Sequence, residues 1–467
     1  MTSTNLSSLV NSIAERGFGM LGLTRSDRGT ANAEDVGELC KMLLSAQGEA
    51  SGIALSKEIL TRYQNLDDEQ KTSFFQLICS EFSADQDEAR AAAAAYLEHS
   101  GSDELIRLSE AARPKRNELL HRLNQAPDAT RILVDMRADL LDRLKGTPDL
   151  AAVNRDFVQH FTAWFNRGFL ELRNLDWDTP ATILEKIIEY EAVHGMAGWT
   201  DLRERIDPDD RLIYGFFHPR LGSEPLIFVE IALMDKMPSN ISDVLDTERP
   251  EPVPAPKTAV FYSISNCQKG LRGIPLGSFL IKQVIEDLRQ RFPSLKEFVT
   301  LSPIPSFRRA LKKNQQSDFR EATFAAANDA ETPGWWDDEG QSRLLAAELL
   351  PAAQWFLANC TDRSGRPVDP VARFHLGNGA RLERVNWNAD ISKRGLDNAF
   401  GMMANYRYRL DEIEHNHENF ANGGKIITSG SVARAARNYG NSIVEHRAIV
   451  TDSAGAPDQT LGNRETA

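Results

Sequence analysis

The sequence predicts an α+β architecture, with an all-α region first and a mixed region after it. Three observations carry this. Residues 1–165 favour helix almost throughout. After residue 165, strand-like runs alternate with helical ones, the order expected of an α/β or α+β domain. Between residues 258 and 307 four pieces follow one another: a β-branched and aromatic run (TAVFYSIS), a glycine-rich turn (NCQKGLRGIPLG), a helical run (SFLIKQVIEDLRQRF) and a second strand ending in LSPIP.

The helical region rests on composition and spacing. The segment EARAAAAAYL, from Glu88 to Leu97, is dominated by the strongest helix former. Around residues 105–123 and 129–144, apolar residues recur every three or four positions. Residues 61–81 repeat the pattern, with Phe74, Phe75, Leu77 and Ile78 supplying a buried face. Short polar breaks at Gly101-Ser102, 125–128 and 146–149 read as helix connections. Acids and bases alternate there as on solvated helix faces, so this region is predicted to serve packing or oligomerisation rather than chemistry.

The mixed region begins after Phe165. Trp177-Asp178-Thr179-Pro180-Ala181 predicts a helix start with an Asp/Thr cap and an early proline. Residues 212–217 and 225–233 (PLIFVEIAL) predict two strands of a hairpin joined by a glycine turn. A proline-rich stretch, TERPEPVPAP from Thr247, separates them from the strand opening at Thr258. The polar, small residues after about 451 predict a disordered tail. The expected division is therefore a helical domain at 1–165, a second domain at 166–450 and a tail at 451–467.

Composition bounds the function. A chain of 467 residues accommodates about two to four domains of roughly 100–200 residues. Hydrophobic residues are 41% and charged residues 26%, enough for an ordinary core. The net charge of −13 argues against a general nucleic-acid or anionic-membrane surface. Cys40, Cys79, Cys267 and Cys360 lack CxxC spacing, which predicts reduced thiols without zinc or disulfides. No run of 18 apolar residues predicts a membrane span. The first residues lack the look of a transit peptide, and LGNRETA is no peroxisomal address, so the expected location is cytoplasmic.

Several residues could carry chemistry. The turn containing Gln268, Gly270 and Arg272-Gly273-Ile274-Pro275-Leu276-Gly277-Ser278 lies where strand gives way to helix. Glycines let backbone approach closely, and free N–H groups at a helix start face an anion, so the turn is either a phosphate cradle or a plain connection. It lacks the spacings of the dinucleotide and P-loop fingerprints. Ser302, before Pro303-Ile304-Pro305, is either loop or a poised hydroxyl; no G-x-S-x-G elbow surrounds it. His375, in VARFHLGNG, sits in a strand-like run ending in a turn and is the best placed of the nine histidines to donate a proton. His218 occupies the hairpin turn. His415 and His417 lack the i,i+4 spacing of a helical ligand pair, so no metal site is expected. Arg308, Arg309, Lys312 and Lys313 form a basic run, either a solvated helix face or a reach toward phosphate.

With these residues assembled, the chain resembles the malonyl-CoA decarboxylase family. The resemblance rests on HPRLGSEPLIFVEIAL, FYSISNCQKGLRGIPLGSFLIKQVI, FVTLSPIPSF, DPVARFHLGNGARLERVNW and GMMANYRYRL, in that order, over most of residues 166–410. It implies a helical N-terminal domain used in homo-oligomer assembly and a catalytic domain of GNAT-type N-acetyltransferase-like α/β fold. By resemblance, Gln268, Gly270 and Arg272 to Ser278 line the acyl-CoA site. Ser302 is then the proton acceptor, His375 the proton donor, and His218 and Tyr408 support them. Some family members carry an acidic residue where this chain has Pro275, so backbone rather than side-chain contact is expected there. The implied reaction takes malonyl-CoA to acetyl-CoA and CO2 and needs no metal or organic cofactor, CoA being part of the substrate. Two rival functions use the same cradle: a CoA-dependent N-acyltransferase, and a non-catalytic acyl-CoA-binding scaffold.

Overall fold

The structure, a computed structural model, describes residues 32–46, 48–246, 255–274, 276–313 and 319–454. The expectations for the N-terminal leader, most of the proline-rich stretch, Pro275 and the tail from residue 455 fall outside the described residues. By its contacts the chain divides into two compact units. One holds Met1–Glu171, Phe216–Ile227 and Asn266–Leu276; the other holds Leu172–Gly215, Phe228–Ser265 and Gly277–Ala467.

Among the described residues the first unit is mainly helical, with α1 (Ala33–Ser45), α2 (Glu49–Gln64), α3 (Asp68–Glu81), α4 (Gln86–Glu98), α5 (Ser102–Ala111), α6 (Lys115–Leu123), α7 (Ala129–Arg143) and α8 (Ala151–Trp164). Caps explain several starts. Asn32 accepts from Asp35 N before α1, and Asp85 accepts from Asp87 N and Glu88 N before α4. Two stretches read as continuous helix are broken. Residues 61–81 divide because Asp67 and Gln70 form a capping box that starts α3 afresh. Residues 105–123 divide at Pro114, whose ring cannot supply a helical N–H, so α5 ends at Ala111 and α6 begins at Lys115. The core includes a cluster in which the Tyr63 ring lies 5.2 Å from Phe74 and 6.0 Å from Phe75, all three buried.

Among the described residues one eight-stranded sheet, most of whose residues lie in the second unit, is formed by β1 (Glu171–Leu175), β2 (Arg211–Phe217), β3 (Pro225–Met234), β4 (Thr258–Asn266), β5 (Glu297–Thr300), β6 (Ser302–Pro303), β7 (Arg381–Asn386) and β8 (Met403–Tyr408). Their order is β1-β2-β3-β4-β5-β8-β6, with β7 also paired to β8. Helices follow as α9 (Ala181–Tyr190), α10 (Trp199–Ile206), α11 (Ser242–Leu245), α12 (Gly277–Arg291), α13 (Phe307–Lys313), α14 (Glu321–Asp329), α15 (Glu339–Asn359), α16 (Pro370–Gly377), α17 (Lys393–Ala399), α18 (Ile413–Gly423) and α19 (Gly430–Ala454). This is the α+β order expected, and β2 and β3 are sheet neighbours as the hairpin reading requires. The predicted Asp/Thr cap of α9 is not formed: Pro180 takes the N-cap position, while the Asp176 carboxylate accepts from Asp178 N in the preceding turn. Helix α19 continues through Ala454, and the rest of the expected tail lies outside the described residues.

Every residue of β2 and β3 is buried, as in a sheet covered on both faces. Glu230 is the polar exception in β3. It is held by Arg205 Nη1 at 2.5 Å, and burial pushes its carboxyl up to about 8 despite that cation. The central core packs Val260, Tyr262, Val299, Leu301 and Met403. The parallel pair β4–β5 and the antiparallel pair β5–β8 set the register that matters for the site, with Phe298 opposite Tyr408. No helix among the described residues is long and apolar enough to cross a membrane.

Candidate active site

Ser302, His375 and Tyr408, far apart in sequence, meet in the second unit as one hydrogen-bonded row. Ser302 Oγ lies 3.1 Å from His375 Nε2, and His375 Nδ1 lies 2.9 Å from Tyr408 Oη. All three are buried. Strand β8 explains two of the placements. Ser302, in β6, pairs with Ala404, and Tyr408 stands four residues further along the same strand. Side chains at 404 and 408 share a face of the sheet because the strand repeats every two residues.

The segment carrying His375 is a helix, not the strand-like run predicted. Asp369 caps α16 by accepting from Val371 N and Ala372 N, each at 3.0 Å, and Pro370 takes the first helical position. The other Asp369 oxygen accepts from Ser306 N at 3.1 Å, tying the helix start to the chain just after Ser302. Burial pushes the Asp369 carboxyl up to about 6, against the pull of these donors. The helix lays the imidazole on the Tyr406 ring, with centroids 4.7 Å apart and planes 25° from parallel.

Electrostatically this is a dry site. Burial drives the His375 pKa down to about 3, so the imidazole is neutral at physiological pH. Burial likewise holds the Tyr408 and Tyr406 phenols well above their ordinary value, so both keep their protons. Tyr406 Oη is buried without a hydrogen-bond partner among the described residues. Thr300 completes the row: its Oγ1 accepts from Ser302 at 2.9 Å and from Tyr406 N at 3.1 Å.

The predicted acyl-CoA turn lies in the first unit from Gln268 to Leu276. Its middle is a 3-10 turn at Lys269–Leu271, and Gln268 Nε2 donates to Pro225 O at 3.0 Å. Arg137 of α7 clamps it, donating to Gly270 O at 2.5 Å and Arg272 O at 2.9 Å. Gly270 must be glycine, since a Cβ there would stand 1.9 Å from Val134 O. Gly273 has φ +79°, the left-handed region that glycine tolerates. Ile274 and Leu276 are buried and Arg272 is exposed. Gly277 and Ser278 open α12 in the second unit.

His218 also belongs to the first unit, as do its neighbours Arg220, Trp164 and Phe165. Its Nδ1 accepts from Arg220 N, its Nε2 bonds Trp164 O at 3.2 Å, and its ring rests 4.9 Å from Phe165. The basic run after Ser302 is not a solvated face throughout. Arg308 stacks over Phe400 and pairs with Glu331, while Arg309 donates to Ser306 Oγ.

Comparison with known proteins places the chain. The family model described as malonyl-CoA decarboxylase C-terminal domain matches residues 168–446, and that described as malonyl-CoA decarboxylase N-terminal domain matches residues 82–165. The chain belongs to the malonyl-CoA decarboxylase family. Mitochondrial malonyl-CoA decarboxylase of Mus musculus is 33% identical over 368 residues, covering 72% of this chain and 74% of that protein. The crystal structure of malonyl-CoA decarboxylase from Rhodopseudomonas palustris is 45% identical with a TM-score of 0.82. That from Agrobacterium vitis is 48% identical with a TM-score of 0.81; each covers 86% of this chain and 99% of the matched one. Decarboxylation of malonyl-CoA, by which the family is named, is a lyase reaction.

Arg137, Thr300, Asp369 and Tyr406 were not singled out from the sequence. Asp369 had a signal: an aspartate directly before a proline is a helix start, and heeding it would have placed His375 on a helix. Arg137 had none, since it clamps a turn more than a hundred residues away.

Proposed function

We propose that this chain converts malonyl-CoA to acetyl-CoA and CO2, with the malonyl group delivered to Ser302 and His375. The observation that carries these roles is the buried row joining Ser302, His375 and Tyr408. In the reaction the bond between the carboxylate and the α-carbon breaks, and its electron pair passes onto the thioester as an enolate. CO2 leaves, and one proton is added to the carbon. The thioester is itself the electron sink, so the proposal includes neither metal nor organic cofactor. Residues 268–278 are assigned to the CoA diphosphate, through turn backbone and the N–H groups that open α12.

The depressed His375 pKa fits the proton-donor role. A neutral imidazole is not repelled from the dry pocket, and the arriving carboxylate favours the imidazolium, so binding recruits the proton. When CO2 departs, the negative charge moves onto the enolate and the proton follows it to carbon. Ser302, within reach of the same nitrogen, turns its hydroxyl proton from Thr300 to the arriving carboxylate while its oxygen accepts the His375 hydrogen bond.

Purified protein given malonyl-CoA alone should release CO2 and form acetyl-CoA. Ser302→Ala should lower kcat by about 10²–10³, the usual loss when one donor to developing charge is removed. Acyl transfer that requires an amine would point to an N-acyltransferase instead, and tight binding without CO2 to a scaffold. The pH profile offers a separate check. With a pKa of about 3, His375 of the free protein does not change charge between pH 5 and 8. Among the described residues that support the row, Asp369, at about 6, is the group expected to titrate there. In Asp369→Asn, kcat/KM should therefore show no rising limb near the ordinary imidazole value of about 6.5. A limb there that is absent from the double variant with His375→Asn would contradict the neutral imidazole.

Homo-oligomer assembly through the helical region and a cytoplasmic location belong to the same proposal. Helices α4 and α5 pack on one another, have no buried residue and expose Leu97, Leu105 and Ile106, which leaves apolar surface for a second copy. Among the described residues none of the four cysteines is in a disulfide, which fits a reducing compartment.

A further inference from the structure

Proton inventory along the Ser302 row assigns a direction to every bond in it. Ser302 has one hydroxyl proton, and in the free protein the geometry directs it to Thr300 Oγ1 at 2.9 Å. The 3.1 Å bond between Ser302 Oγ and His375 Nε2 must then take its proton from the imidazole. A neutral imidazole carries a single N–H, so His375 is protonated on Nε2 and its Nδ1 accepts from the Tyr408 hydroxyl. The low pKa of His375 independently supports the single proton.

We infer that Thr300 is a positioning residue which sets the polarity of this row and thereby the tautomer of His375. Its backbone and its side-chain oxygen are each held. Tyr406 N donates to Thr300 Oγ1 at 3.1 Å, and Asn405 Nδ2 anchors the Thr300 carbonyl at 2.8 Å. Thr300 is fully buried, so no solvent competes for the Ser302 proton at that point. The result is an N–H of His375 aimed at Ser302 and a Ser302 lone pair turned back toward it, the arrangement a donor and an acceptor need. Without the Thr300 oxygen, the Ser302 proton would turn to Nε2. The imidazole proton would then move to Nδ1, the Tyr408 oxygen would become the acceptor, and the row would run backwards.

This inference rests on the assignment of Ser302 and His375 above, and the test separates the two. In protein labelled with 15N-histidine, wild-type His375, identified by the signal lost in His375→Asn, should show the Nε2–H tautomer. Thr300→Val, close in shape but without the hydroxyl, should shift that signal to Nδ1–H. It should lower kcat about 10–100-fold, as expected for a misdirected proton donor, with KM within about twofold. Thr300→Ser restores the oxygen and should restore both readouts. An Nδ1–H tautomer in the wild type overturns the inference, even if the valine variant does not fold. So does undiminished kcat in Thr300→Val. Full turnover in both Ser302→Ala and His375→Asn would instead remove the underlying site assignment, whatever the tautomer.

Discussion

Replacing His375 with Asn should lower malonyl-CoA turnover by about 10²–10⁴, the range for loss of a positioned proton donor. Asparagine can still offer a hydrogen bond to Ser302 but has no basic nitrogen to take up and hand on a proton. It also cannot stack as imidazole does on Tyr406 or accept from Tyr408 as Nδ1 does. The loss should fall on kcat, because the turn proposed to hold CoA is formed by other residues and KM should move little. Single-turnover acetyl-CoA formation at saturating malonyl-CoA measures it. Turnover within threefold of wild type would show that His375 does not deliver the proton.

Gly270→Ala should damage substrate binding and stability together. The added Cβ would overlap Val134 O of α7, a helix carbonyl that cannot rotate away. The turn must therefore lift from the helix, weakening both Arg137 bonds, to Gly270 O and Arg272 O. Overpacking of this kind costs about 1–3 kcal/mol, which should lower Tm by several degrees. If residues 268–278 hold the CoA diphosphate, KM for malonyl-CoA should rise by about tenfold or more, the equivalent of one lost charge-assisted hydrogen bond. Gly273→Ala is the informative companion. Its Cβ meets nothing within 4 Å, so only the backbone strain of φ +79° is felt, about 1–2 kcal/mol. An unchanged KM in Gly270→Ala together with a lowered Tm would separate the turn's packing role from any substrate role.

What the sequence made legible was local. The strand–turn–helix–strand order around the glycine turn survives as β4, the 3-10 turn, α12 and β5, because β-branched runs and glycines act within a few residues. Ser302 could be noticed because two prolines mark the end of its strand. The helical region was readable as helices but not as the eight found among its described residues. Its breaks at Asp67 and Pro114 depend on single capping and N–H effects that a spacing pattern averages over. His375 was found as a residue but misread as to its element: Phe374 and Leu376 on either side give a short apolar run with no clear period, and Asp369-Pro370 had to arbitrate. Thr300, Tyr406 and Arg137 stayed hidden for a different reason. Each acts through a partner brought near only by the pairing of β5 with β8 or by the packing of α7, and neither pairing is written in local composition.

That distribution has a kinetic corollary. The hydroxyls and the imidazole of the proposed site come from β5–β6, α16 and β8, three stretches separated by about seventy and thirty positions, and β8 must insert between β5 and β6 before they are in register. Such long-range closures form late, after local helices have already appeared. In the proposed site, activity therefore depends on that late pairing, and a fragment ending before residue 403 should release no CO2 from malonyl-CoA in a purified assay.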